Sequence, residues 1–178
     1  MLSLQRRFLF IHVPKTGGNS VQSLLAKYSE DELVSGGEMD GVERFGIRNS
    51  VVSNVGKHAS LRVYERHLGR GFVEGLFRFA IARNPWDRMI SFYFSPHRGI
   101  REWNPSVFRA MIGRAAPLRT YIGWETWLDR GLRGIGITTR PLEADVDALL
   151  RFETLEQDFH RVCERLDIPP EPLPRRNA

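Results

Sequence analysis

The chain has a single cysteine among its 178 residues. A lone Cys163 excludes an internal disulfide framework and a cysteine-rich metal site, and its apolar helical neighbours point to buried packing. No His/Cys spacing of the zinc-ligand kind occurs, so no metal site is expected. No segment reaches the ~20 apolar residues that a membrane-spanning helix needs. Met1 to Val13 carries only a short strand-like run and no secretory leader, so a cytoplasmic location without a membrane anchor is expected. Internal repeats and low-complexity stretches are missing. So are an RNA-binding aromatic motif and a long basic stripe, which argues against a nucleic-acid partner. The Walker A order, with Lys directly after the second Gly, is also absent.

What is present fits one domain, 1–178, large enough for one sizeable core. Hydrophobic residues make up 42% of the chain, as in globular proteins. Lys and Arg number 26 against 21 Asp and Glu, so the net charge is 26 − 21 = +5. A basic surface suits a polyanionic nucleotide, an acidic glycan or nucleic acid, and does not choose among them.

The choice comes from Pro14-Lys15-Thr16-Gly17-Gly18-Asn19-Ser20. An apolar run, Phe8 to Val13, leads into it and predicts a buried strand. Val21, Leu24 and Leu25 follow at helical spacing. Strand, tight loop and helix start make a phosphate cradle. Amides and the positive end of the helix dipole face an anion there, and glycine lets the backbone approach it. Lys15 adds a mobile charge, and Thr16, Asn19 and Ser20 add side-chain hydrogen bonds. A second apolar strand, 77–82, runs into Arg83-Asn84-Pro85-Trp86-Asp87-Arg88-Met89-Ile90-Ser91. Pro85 suits the first turn of a helix, here expected to reach Phe94. Arg83 at the strand end and Ser91 on the helix can hold one phosphate between a charged fork and a hydroxyl. A surface ion pair and a solvated hydroxyl are the competing readings.

Both stretches together resemble sulfotransferase family 2, the carbohydrate sulfotransferases that use 3′-phosphoadenosine-5′-phosphosulfate (PAPS). Pro-Lys-Thr-Gly-Gly-x-Ser is similar to the family's 5′-phosphosulfate loop, and Arg-Asn-Pro-x-x-Arg-x-x-Ser to its 3′-phosphate site. Lys57-His58-Ala59-Ser60 looks like the family's Lys-His-x-Ser segment. Arg151-Phe152-Glu153, Leu155 and Asp158-Phe159 look like its late strand–helix unit. The resemblance covers most of 8–168 and is vague over 96–140. It implies PAPS as donor, with 3′-phosphoadenosine-5′-phosphate (PAP) as product. It implies residues 14–20, Arg83 and Ser91 as the nucleotide site, no metal, and a glycan hydroxyl or amine as acceptor. His58 is then the candidate general base, since an unperturbed imidazole titrates near neutrality. Lys15 stabilises the leaving bridging oxygen. A surface or helix-capping role is the alternative for His58, and His12 reads as buried packing. Asn19 stands where the family more often has Thr or Ser. The chain also stops at Ala178 where relatives continue, so it is expected to be short at its C-terminus.

Strands at 8–13, 51–55, 77–82 and 147–152 alternating with helices predict a three-layer α/β fold. This is an open, mainly parallel sheet with helices on both faces and ligands at the strands' carboxyl ends. The resemblance narrows that to the P-loop-like sulfotransferase fold. Thr154 and Gln157 have the form of a capping box. Residues 31–49, rich in glycine, read as a loop. Tyr121, Trp124, Trp127 and Leu128 fall on one helical face, either core packing or an aromatic wall for a sugar. Gly131 to Gly136 reads as a glycine-rich link. Two other classes stay open: a degenerate PAPS/PAP-binding module, and a nucleotide kinase-like enzyme on a related fold. Oligomeric state is not legible.

Overall fold

A computed structural model describes residues 1–39, 42–53, 55–95, 99–115 and 146–174. The aromatic face at 121–128 and the glycine-rich link at 131–136 lie outside the described residues. The chain opens with β1 (Leu2–Ser3), β2 (Phe8–Ile11) and α1 (Gly18–Leu25). β3 (Glu32–Met39) and β4 (Val42–Arg48) follow, then α2 (Leu61–Leu68), α3 (Arg70–Glu74) and β5 (Phe77–Ala82). The remaining elements are α4 (Pro85–Tyr93), α5 (Pro105–Ala115), β6 (Ala148–Arg151) and α6 (Leu155–Arg165).

The main sheet has the order β1-β2-β5-β6. β2, β5 and β6 run parallel, with Phe8 opposite Phe77 and Phe79 opposite Ala148, and β1 pairs antiparallel with β2. Side chains alternate across a strand, so each strand feeds both faces. Phe8, Phe10, Phe79, Ile81 and Leu150 go to one face, under Val21, Leu24 and Leu25 of α1 and Phe159, Val162 and Cys163 of α6. Leu9, Ile11 and Ala80 go to the other, under Leu61 and Tyr64 of α2 and Val73 of α3. Helices therefore cover both faces of a mainly parallel sheet. Each fully buried large apolar side chain contributes about 1.5–3 kcal/mol relative to exposure. Cys163 is buried and free, and burial pushes its thiol up.

Three expectations need correction. Residues 51–53 form bends and a turn, not a strand. Val52 and Val55 are buried against Leu9, Ile11 and Tyr64, so the apolar run marks a loop pressed into the core. Residues 31–49 contain the β3–β4 hairpin, with a register shift between Ser35 and Glu38. Its glycines break the alternation by which a strand is recognised. Thr154 makes no capping bond to the helix amides. A 3₁₀ turn, Phe152–Thr154, leads into α6, and the Thr154 hydroxyl donates to Asp158 at 3.0 Å instead. The same carboxylate oxygen accepts the Arg151 amide at 2.9 Å.

Candidate active site

The parallel strands β2 and β5 deliver their carboxyl ends side by side, and the site is built there. β2 stops at Ile11, and His12 to Gly17 bridge to α1. Two residues of this loop sit in the left-handed region: Lys15 at φ 67 and Gly17 at φ 84. For lysine that conformation is costly, and such strain gathers at functional sites. The Thr16 hydroxyl donates to the Val13 carbonyl at 2.8 Å and is buried, so Thr16 fastens the loop to itself. Gly17 caps α1 with no side-chain hydrogen bond, and the first turn carries no acidic residue. Nothing in that turn competes with an incoming anion for the positive helix end.

β5 ends in Ala82, and Arg83 follows. Its Nη1 donates to the Lys15 carbonyl at 3.3 Å, and its guanidinium lies 4.0 Å above the centre of the Phe152 ring. Arg83 Nε is buried and has no hydrogen-bond partner among the described residues. Asn84 then starts α4: its side chain accepts the Trp86 amide at 2.9 Å, and Pro85 takes the first position. One turn on, Arg88 is 6% exposed and donates from Nε to the Pro14 carbonyl at 2.9 Å. Two arginines of one motif thus hold two successive carbonyls of the loop. Ser91 is half-buried on α4, and among the described residues no hydrogen bond joins it to Arg83 or to the loop.

His58 comes from the segment before α2. Its Nδ1 lies 3.1 Å from the His12 carbonyl oxygen. A carbonyl only accepts, so Nδ1 carries the hydrogen and Nε2 keeps the lone pair. The rings of His12 and His58 meet edge to face, 4.5 Å between centroids. Burial, then the Lys57 and Arg88 charges, lowers the His58 pKa from its ordinary 6.5, against the opposing effect of the His12 carbonyl. Lys57 reaches the other way. Its ammonium donates to the Phe45 carbonyl at 3.0 Å and sits 3.7 Å from the centre of that ring, tying the hairpin to the His58 segment.

His12 does more than fill the core. Buried to 5% exposure, it pairs Nδ1 with Gln22 Oε1 at 2.7 Å. A β-carbon on Gly18 would lie 2.3 Å from its ring. Burial, then the His58 and Lys57 charges, holds its pKa well below 6.5. Sequence reasoning also passed over Arg88, although the spacing Arg-Asn-Pro-x-x-Arg contained it, and Phe152 and Glu153, whose partners lie far away in the chain.

The residues present fit an anion: the helix end lacks an acid, and Arg83 keeps an orphaned donor. Among the described residues no group of three or more His, Cys, Asp or Glu could hold a metal ion. No helix of the described residues is long and apolar enough to cross a membrane. Neither the curated proteins nor the solved structures give a significant match. The sequence model of the Sulfotransferase family, family 2, matches residues 2–121 and takes in the loop, the histidines and the Arg-Asn-Pro helix. With more than half of its length matched, the chain belongs to the sulfotransferase family, whose domain is that of a sulfuryl-transferring enzyme.

Proposed function

We propose that this protein is a PAPS-dependent sulfotransferase that sulfates a hydroxyl or amine of a carbohydrate acceptor and releases PAP. The observation that carries the reading is the double tie between the loop and the Arg-Asn-Pro helix, Arg83 to Lys15 and Arg88 to Pro14. It supports a single anion-binding unit in which residues 14–20 hold the 5′-phosphosulfate and Arg83, with Ser91, holds the 3′-phosphate.

PAPS supplies the activated sulfuryl group. His58, with Nε2 unprotonated, takes the proton of the acceptor hydroxyl as that oxygen forms its bond to sulfur. The sulfur–oxygen bond to the nucleotide phosphate breaks, and the electron pair stays on the phosphate oxygen. Lys15 and the amides of the first turn of α1 stabilise that charge. The lowered pKa of His58 keeps it a free base at neutral pH.

The hairpin carries a cleft in which an acceptor could lie. Val34, Ser35, Gly36, Gly46, Ile47, Arg48, Asn49 and Val55 line an open cleft of about 440 Å³. Small-molecule sites typically measure about 300–1,000 Å³. Lys57, the neighbour of His58 in the chain, donates to Phe45 of this hairpin.

The test is calorimetry of PAP and PAPS, with ATP as control, on wild type and Arg83→Ala. Micromolar PAP binding that the substitution abolishes, with ATP far weaker, is expected. ATP binding as well as PAP sinks the reading and favours a kinase-like enzyme. PAP binding without a sulfated product from a broad glycan panel favours a binding module.

A further inference from the structure

The geometry points to Phe152 as a positioning residue for nucleotide recognition, one that sets Arg83 for the 3′-phosphate; this rests on the nucleotide site proposed above. Phe152 stands at the end of β6, outside residues 2–121 that match the family. Its ring touches both halves of the site. Arg83 Cζ lies 4.0 Å above the ring centre. On its edge, a β-carbon built on Gly17 would come within 3.0 Å of Cδ2 and Cε2 and within 3.1 Å of Leu155. The ring is therefore wedged between the loop and the arginine.

Three constraints then fix the guanidinium. The ring face attracts the cation and keeps Cζ 4.0 Å from its centre. The Lys15 carbonyl holds Nη1 at 3.3 Å. The backbone that carries it is held by the next residue of the same turn. Glu153 Oε1 accepts the Asn84 amide at 2.7 Å, and Asn84 in turn caps α4. Nε is buried and has no hydrogen-bond partner among the described residues. A guanidinium drawn to the ring and held at Nη1, with Nε unspent, is placed for the charge-assisted hydrogen bonds that recognise a phosphate.

Filling space would give Phe152 a role in stability alone. Positioning Arg83 gives it a role in selectivity, and the two separate by experiment. PAP and adenosine 5′-monophosphate share everything except the 3′-phosphate. Their affinities are measured on wild type, Phe152→Leu and Phe152→Tyr, and the Arg83 Nε–H resonance is recorded without ligand. Wild type is expected to prefer PAP. Phe152→Leu should shrink that preference by about tenfold, the scale of a partly buried cation–π contact, while Phe152→Tyr keeps it. The Arg83 signal should be ring-shifted in wild type and Phe152→Tyr. Equal weakening of both nucleotides in Phe152→Leu, or an unchanged preference, overturns the positioning role and leaves the nucleotide site standing. An Arg83 signal with no ring shift in wild type overturns it without recourse to any variant. Wild type that binds the two nucleotides equally defeats the 3′-phosphate site itself.

Discussion

A β-carbon on Gly18 would stand 2.3 Å from Cδ2 and 2.5 Å from Nε2 of His12. The imidazole cannot swing clear, because it is buried and held by Gln22. Glycine at this place is thus a packing requirement between the first turn of α1 and the end of β2. Gly18→Ala should destabilise the fold by about 1–3 kcal/mol, the usual cost of overpacking a closed site. It should also weaken nucleotide binding, since the loop must rise to make room. Adding His12→Ser should recover much of the lost stability, measured by urea unfolding of the single and double variants. A double variant no better than Gly18→Ala would place the strain elsewhere.

The same histidine makes stability depend on pH. Its folded-state pKa lies well below the 6.5 of the unfolded chain, so the unfolded state binds protons first as pH falls. The contribution is whole above pH 6.5 and is lost as pH drops below it. A single such site gives a slope of at most about 1.4 kcal/mol per pH unit. His12→Asn should flatten the unfolding free energy between pH 6.5 and 5, whatever its value at pH 8. An unchanged slope would show that His12 titrates freely. His58 is lowered in the same direction, so the acid limb of kcat/KM should fall below 6.5 and disappear in His58→Ala together with most of the activity.

Arg88 is expected to matter as much as Arg83 for donor affinity, through its hold on the Pro14 carbonyl. Hydrogen bonds from charged groups contribute about 1.5–3 kcal/mol, so Arg88→Met should weaken PAP binding by roughly 10–100-fold. Arg88→Lys should restore little, because an ammonium does not reproduce the guanidinium's direction. Calorimetry on the two variants checks this. Full rescue by lysine would mean that charge alone is at work.

The parts of this site that were legible in the sequence share a property: chemistry and local pattern coincide within a few residues. Phe8 to Leu25 gives strand, glycine turn and helix in one window, and Arg83 to Ser91 does the same with Pro85 as its marker. Where pattern and burial part, the reading failed. Val52 and Val55 are as apolar as a strand, yet Val52 lies in a bend and Val55 in irregular backbone, while β3 and β4 hide their alternation behind Gly36, Gly37 and Gly46. Phe152 under Arg83 and Glu153 on Asn84 have no local signature at all, because strand order in the sheet, not sequence distance, brings β5 and β6 together.

Lys15 offers the sharpest separation of folding from catalysis. At φ 67 it sits where a side chain other than glycine's costs about 1–2 kcal/mol, and the fold keeps it there. Lys15→Gly removes that cost along with the ammonium. The variant should therefore be at least as stable as wild type, yet lose about 10²–10³ in kcat, the range seen when one preorganised charge-stabilising donor is deleted. Lys15→Ala should lose the same activity and gain no stability, since alanine retains the β-carbon. Thermal unfolding and initial rates with a sulfated-glycan readout compare the three proteins. If Lys15→Gly turns over like wild type, the ammonium has no part in the transfer step. If it unfolds earlier than Lys15→Ala, the left-handed turn is not where the strain lies.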